Sequence, residues 1–299
     1  MERLKEILIL VLYMGAILLF PWLSFLLVRF IATFAEIDPA GILGTFISAI
    51  PNIVMFVIAY FFLKLDDWDF NSIGISLNRV LPGLIFALLS LAGLYIILPF
   101  STSIFYEPRT LYVSMPVLNA SYISNLIRSW LIVGICEEFA ARGYMLNKFH
   151  SVMPDKINTI LKKAISAIFV ALFFTLVGYI RLRTAGNLTI SSNTLYTTFL
   201  NIFKIFFYGL FVTYLYMRTG NLFVAAFMQA ALDFPFFGIT VGREGLSIMS
   251  FGFLFSISLV FLFIILLAET YNYWGKWLTF GGYKLNEEEV VVEEGIPFN

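Results

Sequence analysis

Histidine and cysteine are almost missing from this chain of 299 residues, which holds one of each, His150 and Cys136. A lone cysteine excludes an internal disulfide. A lone histidine removes every metal site built from several imidazoles and leaves little scope for imidazole acid/base catalysis. Charge is scarce as well. Only 13% of the residues are charged, about half the share of a soluble domain, which excludes an ordinary water-soluble enzyme and a disordered scaffold. The 19 basic residues are balanced by 19 acidic ones. No basic footprint is left for neutralising phosphates, and no nucleic-acid partner is expected.

What remains is apolar. Hydrophobic residues make up 60% of the chain, Phe alone occurs 34 times, and the mean hydropathy is +0.90. Crossing the hydrocarbon core takes about 20 apolar residues in a helix. Runs of roughly that size occupy 6–34, 41–63, 80–105, 122–147, 160–181, 195–217, 219–238 and 246–274. The expected fold is therefore all-α, a polytopic membrane bundle of about eight transmembrane helices whose first partner is the lipid bilayer. The first run exceeds a secretory apolar region and lacks a small-residue cleavage site, so it reads as a retained helix. Pro21 and Pro51 interrupt the first two spans and favour kinks there.

Orientation follows from the basic residues of the short connections. Arg3, Lys5, Lys64, Arg79, Lys148, Lys156, Lys162, Lys163, Arg218, Lys276 and Lys284 fall on the side of the N-terminus, against Arg109, Arg181, Arg183 and Arg243 opposite. A multi-pass cell-membrane protein with both termini cytoplasmic is expected. Its helical domain spans 1–275, and 276–299 is a short acidic cytoplasmic tail with Glu287–Glu289, Glu293 and Glu294. Heptads, Gly-rich phosphate loops and internal repeats are absent from the sequence.

Ionisable residues inside a span are costly and each needs a reason. The fourth span carries Cys136-Glu137-Glu138-Phe139-Ala140-Ala141-Arg142-Gly143. Glu138 and Arg142 are four apart and share a helix face, as an ion pair does. Glu137 lies about 100° further round and points elsewhere, toward the bundle centre. Arg218-Thr219-Gly220-Asn221-Leu222 opens the seventh span, followed by Gln229 and Asp233, again four apart. Glu137 and Gln229 each stand about ten residues from the cytoplasmic end of their spans, roughly 15 Å deep. Glu137, Gln229 and Asp233 are expected to converge on one cavity. His150 reads as a solvated interfacial residue.

Glu137-Glu138-x-x-x-Arg142-Gly143 on a membrane helix, with Thr219-Gly220-Asn221-Leu222 and a polar pair about 75 residues later, resembles the CPBP family. That family comprises type II CAAX prenyl endopeptidases and bacteriocin-processing or immunity proteins. The resemblance covers about 120–238 as a core. It implies Glu137, Glu138, Gln229 and Asp233 at catalytic positions, and Phe173 and Arg142 at substrate-binding ones. The family pattern places histidines in a middle Phe-x-x-x-His motif and at the start of the last one, and here those positions are Phe173 and Gln229. The all-oxygen set Glu137, Glu138 and Asp233 suits zinc poorly, so no bound metal and no other cofactor is expected. Two functions stay open. One is a catalytically degenerate protein that binds a membrane, prenylated or transmembrane peptide. The other is an active endopeptidase with Glu137 as general base.

Overall fold

A computed structural model describes residues 2–38, 41–105, 111–114, 118–184, 194–234, 238–241 and 251–274. The acidic tail, Arg109 and Arg243 lie outside the described residues, as do the side chains of Arg181 and Arg183. The architecture is a helical bundle. Its helices are α1 (Glu2–Phe34), α2 (Ile42–Ile47), α3 (Ile50–Leu65), α4 (Leu77–Phe105), α5 (Ala120–Ile127), α6 (Gly134–Glu138), α7 (Asn147–Val152), α8 (Thr159–Thr184), α9 (Thr194–Thr219), α10 (Leu222–Asp233) and α11 (Phe251–Trp274). One antiparallel ribbon is added to this all-α plan. Its strands are β1 (Leu111–Ser114) and β2 (Gly238–Val241), with Leu111 opposite Val241 and Ser114 opposite Gly238.

Among the described residues, five stretches are long and apolar enough to cross a membrane: 3–34, 42–65, 77–105, 159–180 and 254–274. The structure departs from the sequence reading most clearly at 219–238. There α10 has 12 residues, which rise about 18 Å and fall short of a hydrocarbon core of about 30 Å. Its last turn carries Asp233, which is exposed.

The fourth expected span is a continuous rod only in outline. Between α5 and α7 the backbone is π-helical at Arg128–Val133 and again at Phe139–Leu146, with the single regular turn of α6 between them. A π-helical stretch widens the ladder and frees backbone carbonyls for other donors. Tyr13 donates from its hydroxyl to the Ala140 carbonyl at 2.7 Å. Asn147 donates to the Arg142 and Gly143 carbonyls at 3.1 and 2.8 Å. Gly134 lets α10 approach this rod, since a Cβ there would stand 2.5 Å from the Ala226 carbonyl oxygen.

Thr219-Gly220-Asn221-Leu222 is a corner between α9 and α10. Gly220 takes φ +60°, the left-handed conformation that closes a helix and that glycine adopts at no steric cost. Asn221 then caps α10, its side chain accepting from the Phe223 backbone N–H at 2.9 Å. Its amide also donates to the Arg79 carbonyl at 2.9 Å and the Tyr271 hydroxyl at 2.6 Å. One polar side chain thus ties α4, α10 and α11 together.

At the end of the bundle that carries the N-terminus, Lys148 is buried among ionic partners. It pairs with Asp66 at 2.7 Å and with Glu6, and Tyr144 donates to Asp66 at 2.7 Å. His150 is also buried there, contrary to the solvated position expected of it, because α7 packs against α1 and α8. Burial, then the nearby Lys162 and Lys163 cations, lower its imidazole to about 4. At neutral pH it is an uncharged packing residue.

Candidate functional site

A cavity of about 320 Å³ opens where α3, the π-helical rod, α8, α9 and α10 meet. Glu137, Glu138, Arg142, Gln229 and Asp233 all line it. Four of these sit on two elements, α6 and α10, which Gly134 brings together. The convergence expected from depth and helix phase is found in the fold.

Glu138 and Arg142 form the ion pair that their spacing implies, Nη1 to Oε1 at 2.6 Å, with both side chains buried. The guanidinium is held at its other nitrogens too. Nε donates to the Thr213 hydroxyl at 3.1 Å and Nη2 to the Gly209 carbonyl at 2.8 Å. Each of its three nitrogens makes one bond within the protein, which uses three of the five N–H donors of the guanidinium. The second oxygen of Glu138, Oε2, is buried and has no hydrogen-bond partner among the described residues. Burying such an atom unsatisfied is costly.

Glu137 and Gln229 are half-buried and Asp233 is exposed at the rim. Gln229 donates from Nε2 to Asp233 Oδ2 at 2.9 Å. Asp233 ends α10, where the helix dipole is negative and gives a carboxylate no support. Its counter-charges come from other elements, Lys204 of α9 and Arg128 of the rod, and the field of Glu137 also reaches it.

Phe173 does not line the cavity. It is buried at 6% exposure in the core beside Val170, and Ala171, Phe174, Thr175, Val177 and Gly178 of the same helix line the cavity. Sequence reasoning also missed Tyr208, Gly209 and Thr213 on α9. Tyr208 lines the cavity and donates to the Met228 carbonyl at 3.1 Å. Their signal was the presence of a hydroxyl and a glycine at four-residue spacing in an otherwise apolar span.

Among the described residues no three His, Cys, Asp or Glu side chains are placed to hold a metal ion. With no imidazole on the wall and one Glu138 oxygen committed to Arg142, the donor set does not fit the metal that a peptidase resemblance would suggest.

Residues 119–235 match the family model of type II CAAX prenyl endopeptidase Rce1-like proteins. The match takes in the rod, α8, α9 and α10, which between them supply every wall of the cavity except Met55. No curated protein matches the chain, and no solved structure does.

Proposed function

For this CAAX-protease-like, multi-pass membrane protein, we propose a binding role in which the glutamate-lined cavity holds a lipidated or transmembrane peptide without cleaving it. The observation that carries the reading is the composition of the cavity wall. Glu137, Glu138, Gln229 and Asp233 meet on it, while the only histidine is buried elsewhere, on α7. General acid/base assistance by a positioned imidazole is worth about 10²–10⁴ in rate, and here neither Phe173 nor Gln229 can supply it. A carboxamide keeps the shape and one donor of a hydrogen-bonding residue and loses the titration that proton transfer needs.

A second reading draws on Glu137 and Gln229 sharing one cavity. Glu137 would activate water, and the Gln229 amide would donate to the developing oxyanion, a contact worth about 3 kcal/mol in a preorganised site. One experiment separates the two. The full chain in lipid nanodiscs is mixed with a prenylated CAAX peptide and with its unlipidated counterpart, and binding and cleavage are followed by fluorescence anisotropy and mass spectrometry. The binding role expects saturable association of the lipidated peptide and an intact peptide after prolonged incubation. Cleavage products that vanish in Glu137→Ala would establish the peptidase instead.

A further inference from the structure

The glutamate-lined cavity lies well away from the end of the bundle that carries the N-terminus. From Leu65 back to Met55 on α3, from Thr219 back to Gly209 on α9 and from Thr159 on to Ala171 on α8, the rise to the cavity wall is about 15–18 Å. Below that level the bundle is solid. Tyr13, Phe62, Phe139, Tyr144, Val212 and Ala225 belong to one buried cluster, and the buried Glu138–Arg142 pair lies beside it in the rod. Away from this floor, exposure rises among the residues that line or border the cavity. On the rod Arg142 and Glu138 are buried, and Glu137 and Arg128 half-buried. On α8 Val170 and Ala171 are buried and Gly178 half-buried. On α9 Thr213 is buried, Gly209 and Tyr208 are half-buried and Lys204 is exposed. On α10 Ala225 and Ala226 are buried, Gln229 is half-buried and Asp233 exposed.

The rim is ionic. Asp233 stands in the field of Arg128 and Lys204, and Arg128 in that of Glu137 as well. Arg128 and Lys204 are thus matched by Asp233 and Glu137, and the charge of the rim favours neither an anion nor a cation. What it does favour is water, because ionised groups exposed to hydrocarbon are costly. We infer that the cavity opens on the membrane face opposite the N-terminus and is filled from that face. Where Lys and Arg hold the N-terminal end in the cytoplasm, the occupant is a lipidated or transmembrane peptide presented on the outer side, not a chain arriving from the cytoplasm. The short α10 accounts for the position of the mouth. Its 12 residues end about 18 Å from the corner at Asn221, so the helix delivers Asp233 to the rim instead of carrying an apolar surface on to the far interface. The rod closes against it there, Trp130 donating from Nε1 to the Phe234 carbonyl at 3.1 Å. This direction of entry rests on the peptide-binding role proposed above and adds to it a side.

In a Cys136→Ala background, Gln229→Cys and Gly178→Cys each place a thiol on the cavity wall. Among the described residues the Cβ added at 178 meets Ile205 at 3.7 Å, an ordinary contact, and elution like the unaltered chain on size exclusion in detergent shows that each variant is folded. Intact cells and inverted vesicles are treated with a charged, membrane-impermeant methanethiosulfonate, with Leu118→Cys and Lys5→Cys marking the two faces. Both cavity thiols are expected to react together with Leu118→Cys, from outside intact cells, and to be spared from the face of Lys5→Cys. Reaction from the face of Lys5→Cys would overturn the inference, as would protection from both faces. Reaction with an apolar, membrane-permeant maleimide alone would overturn it too, since the cavity would then open into lipid. A lipidated peptide with a charged, non-permeant tail is next added to one face of the vesicles or the other. On the face of Leu118→Cys it should protect Gln229→Cys from the reagent, and on the other face it should not. Protection from the face of Lys5→Cys alone keeps the peptide-binding role and removes this direction of entry. Thiols that react as expected, with no protection by peptide from either face, remove the peptide-binding role and leave the mouth where it is placed.

Discussion

Arg142 is the residue on which the site depends structurally. Its three nitrogens join the rod to α9 through Glu138, Thr213 and Gly209. Arg142→Ala leaves Glu138 as a fully buried and uncompensated charge, and breaking such a pair from one side costs about 3–5 kcal/mol. The variant is expected to melt well below the unaltered protein in detergent, whereas Glu138→Gln with Arg142→Met, which removes both charges, should recover most of that loss. A single variant that melts like the parent would show that the pair carries no structural weight. This pair was legible from sequence because two charges four apart in an apolar run have one economical arrangement. Phe173 was not legible in the same way. Whether 173 or 174 faces the cavity depends on where α9 and α10 stand around α8, and helix periodicity leaves that phase open.

At the scale of elements, the polar corner between α9 and α10 announces itself in Thr219-Gly220-Asn221, since a left-handed glycine followed by a capping asparagine is a local matter. The π-helical stretches on either side of Glu137 and Glu138 do not, because they arise from fitting the rod against its neighbours and no residue type specifies them. Gly134 sits between them, and two opposing effects act on it. Replacing a helix-interior glycine with alanine favours the helix by about 0.5–1 kcal/mol, but here the new Cβ would press on the Ala226 carbonyl at 2.5 Å. Overpacking of that kind costs about 1–3 kcal/mol, so the clash wins. Gly134→Ala is expected to lower the melting temperature and weaken ligand binding by pushing α10 away. Gly15→Ala in α1, where none of the described residues lies within 4 Å of the added carbon, should leave stability unchanged or raise it. Equal behaviour of the two variants would remove the close approach of α10 as the reason for glycine at 134.

For the whole molecule, the distribution of cations proves more informative than their number. Arg3 donates to the Val152 carbonyl at 3.3 Å, Lys148 pairs with Glu6 and Asp66, and Arg79 donates to the Gly220 carbonyl at 2.5 Å. Asn147 and Ile73 both bond the Tyr216 hydroxyl, Asn147 as donor and Ile73 through its carbonyl as acceptor, each at 3.1 Å. Arg3, Lys64, Arg79, Lys148 and Arg218 therefore cluster at one end of the bundle, as their positions in the sequence imply for alternating spans. At the other end β1 pairs with β2 between the far ends of α4 and α10. Because connecting segments rich in Lys and Arg are retained on the cytoplasmic side, the end with Arg3 and Lys148 should face the cytoplasm. The lone buried cysteine makes this directly measurable. In a Cys136→Ala background, a membrane-impermeant maleimide added to intact cells should label Leu118→Cys and spare Lys5→Cys and Lys156→Cys, and inverted vesicles should reverse the pattern. All three positions are exposed, so a failure to label reports sidedness rather than burial. Labelling of Lys5→Cys from outside intact cells would invert the molecule. It would also turn the glutamate-lined cavity over relative to the two sides of the bilayer.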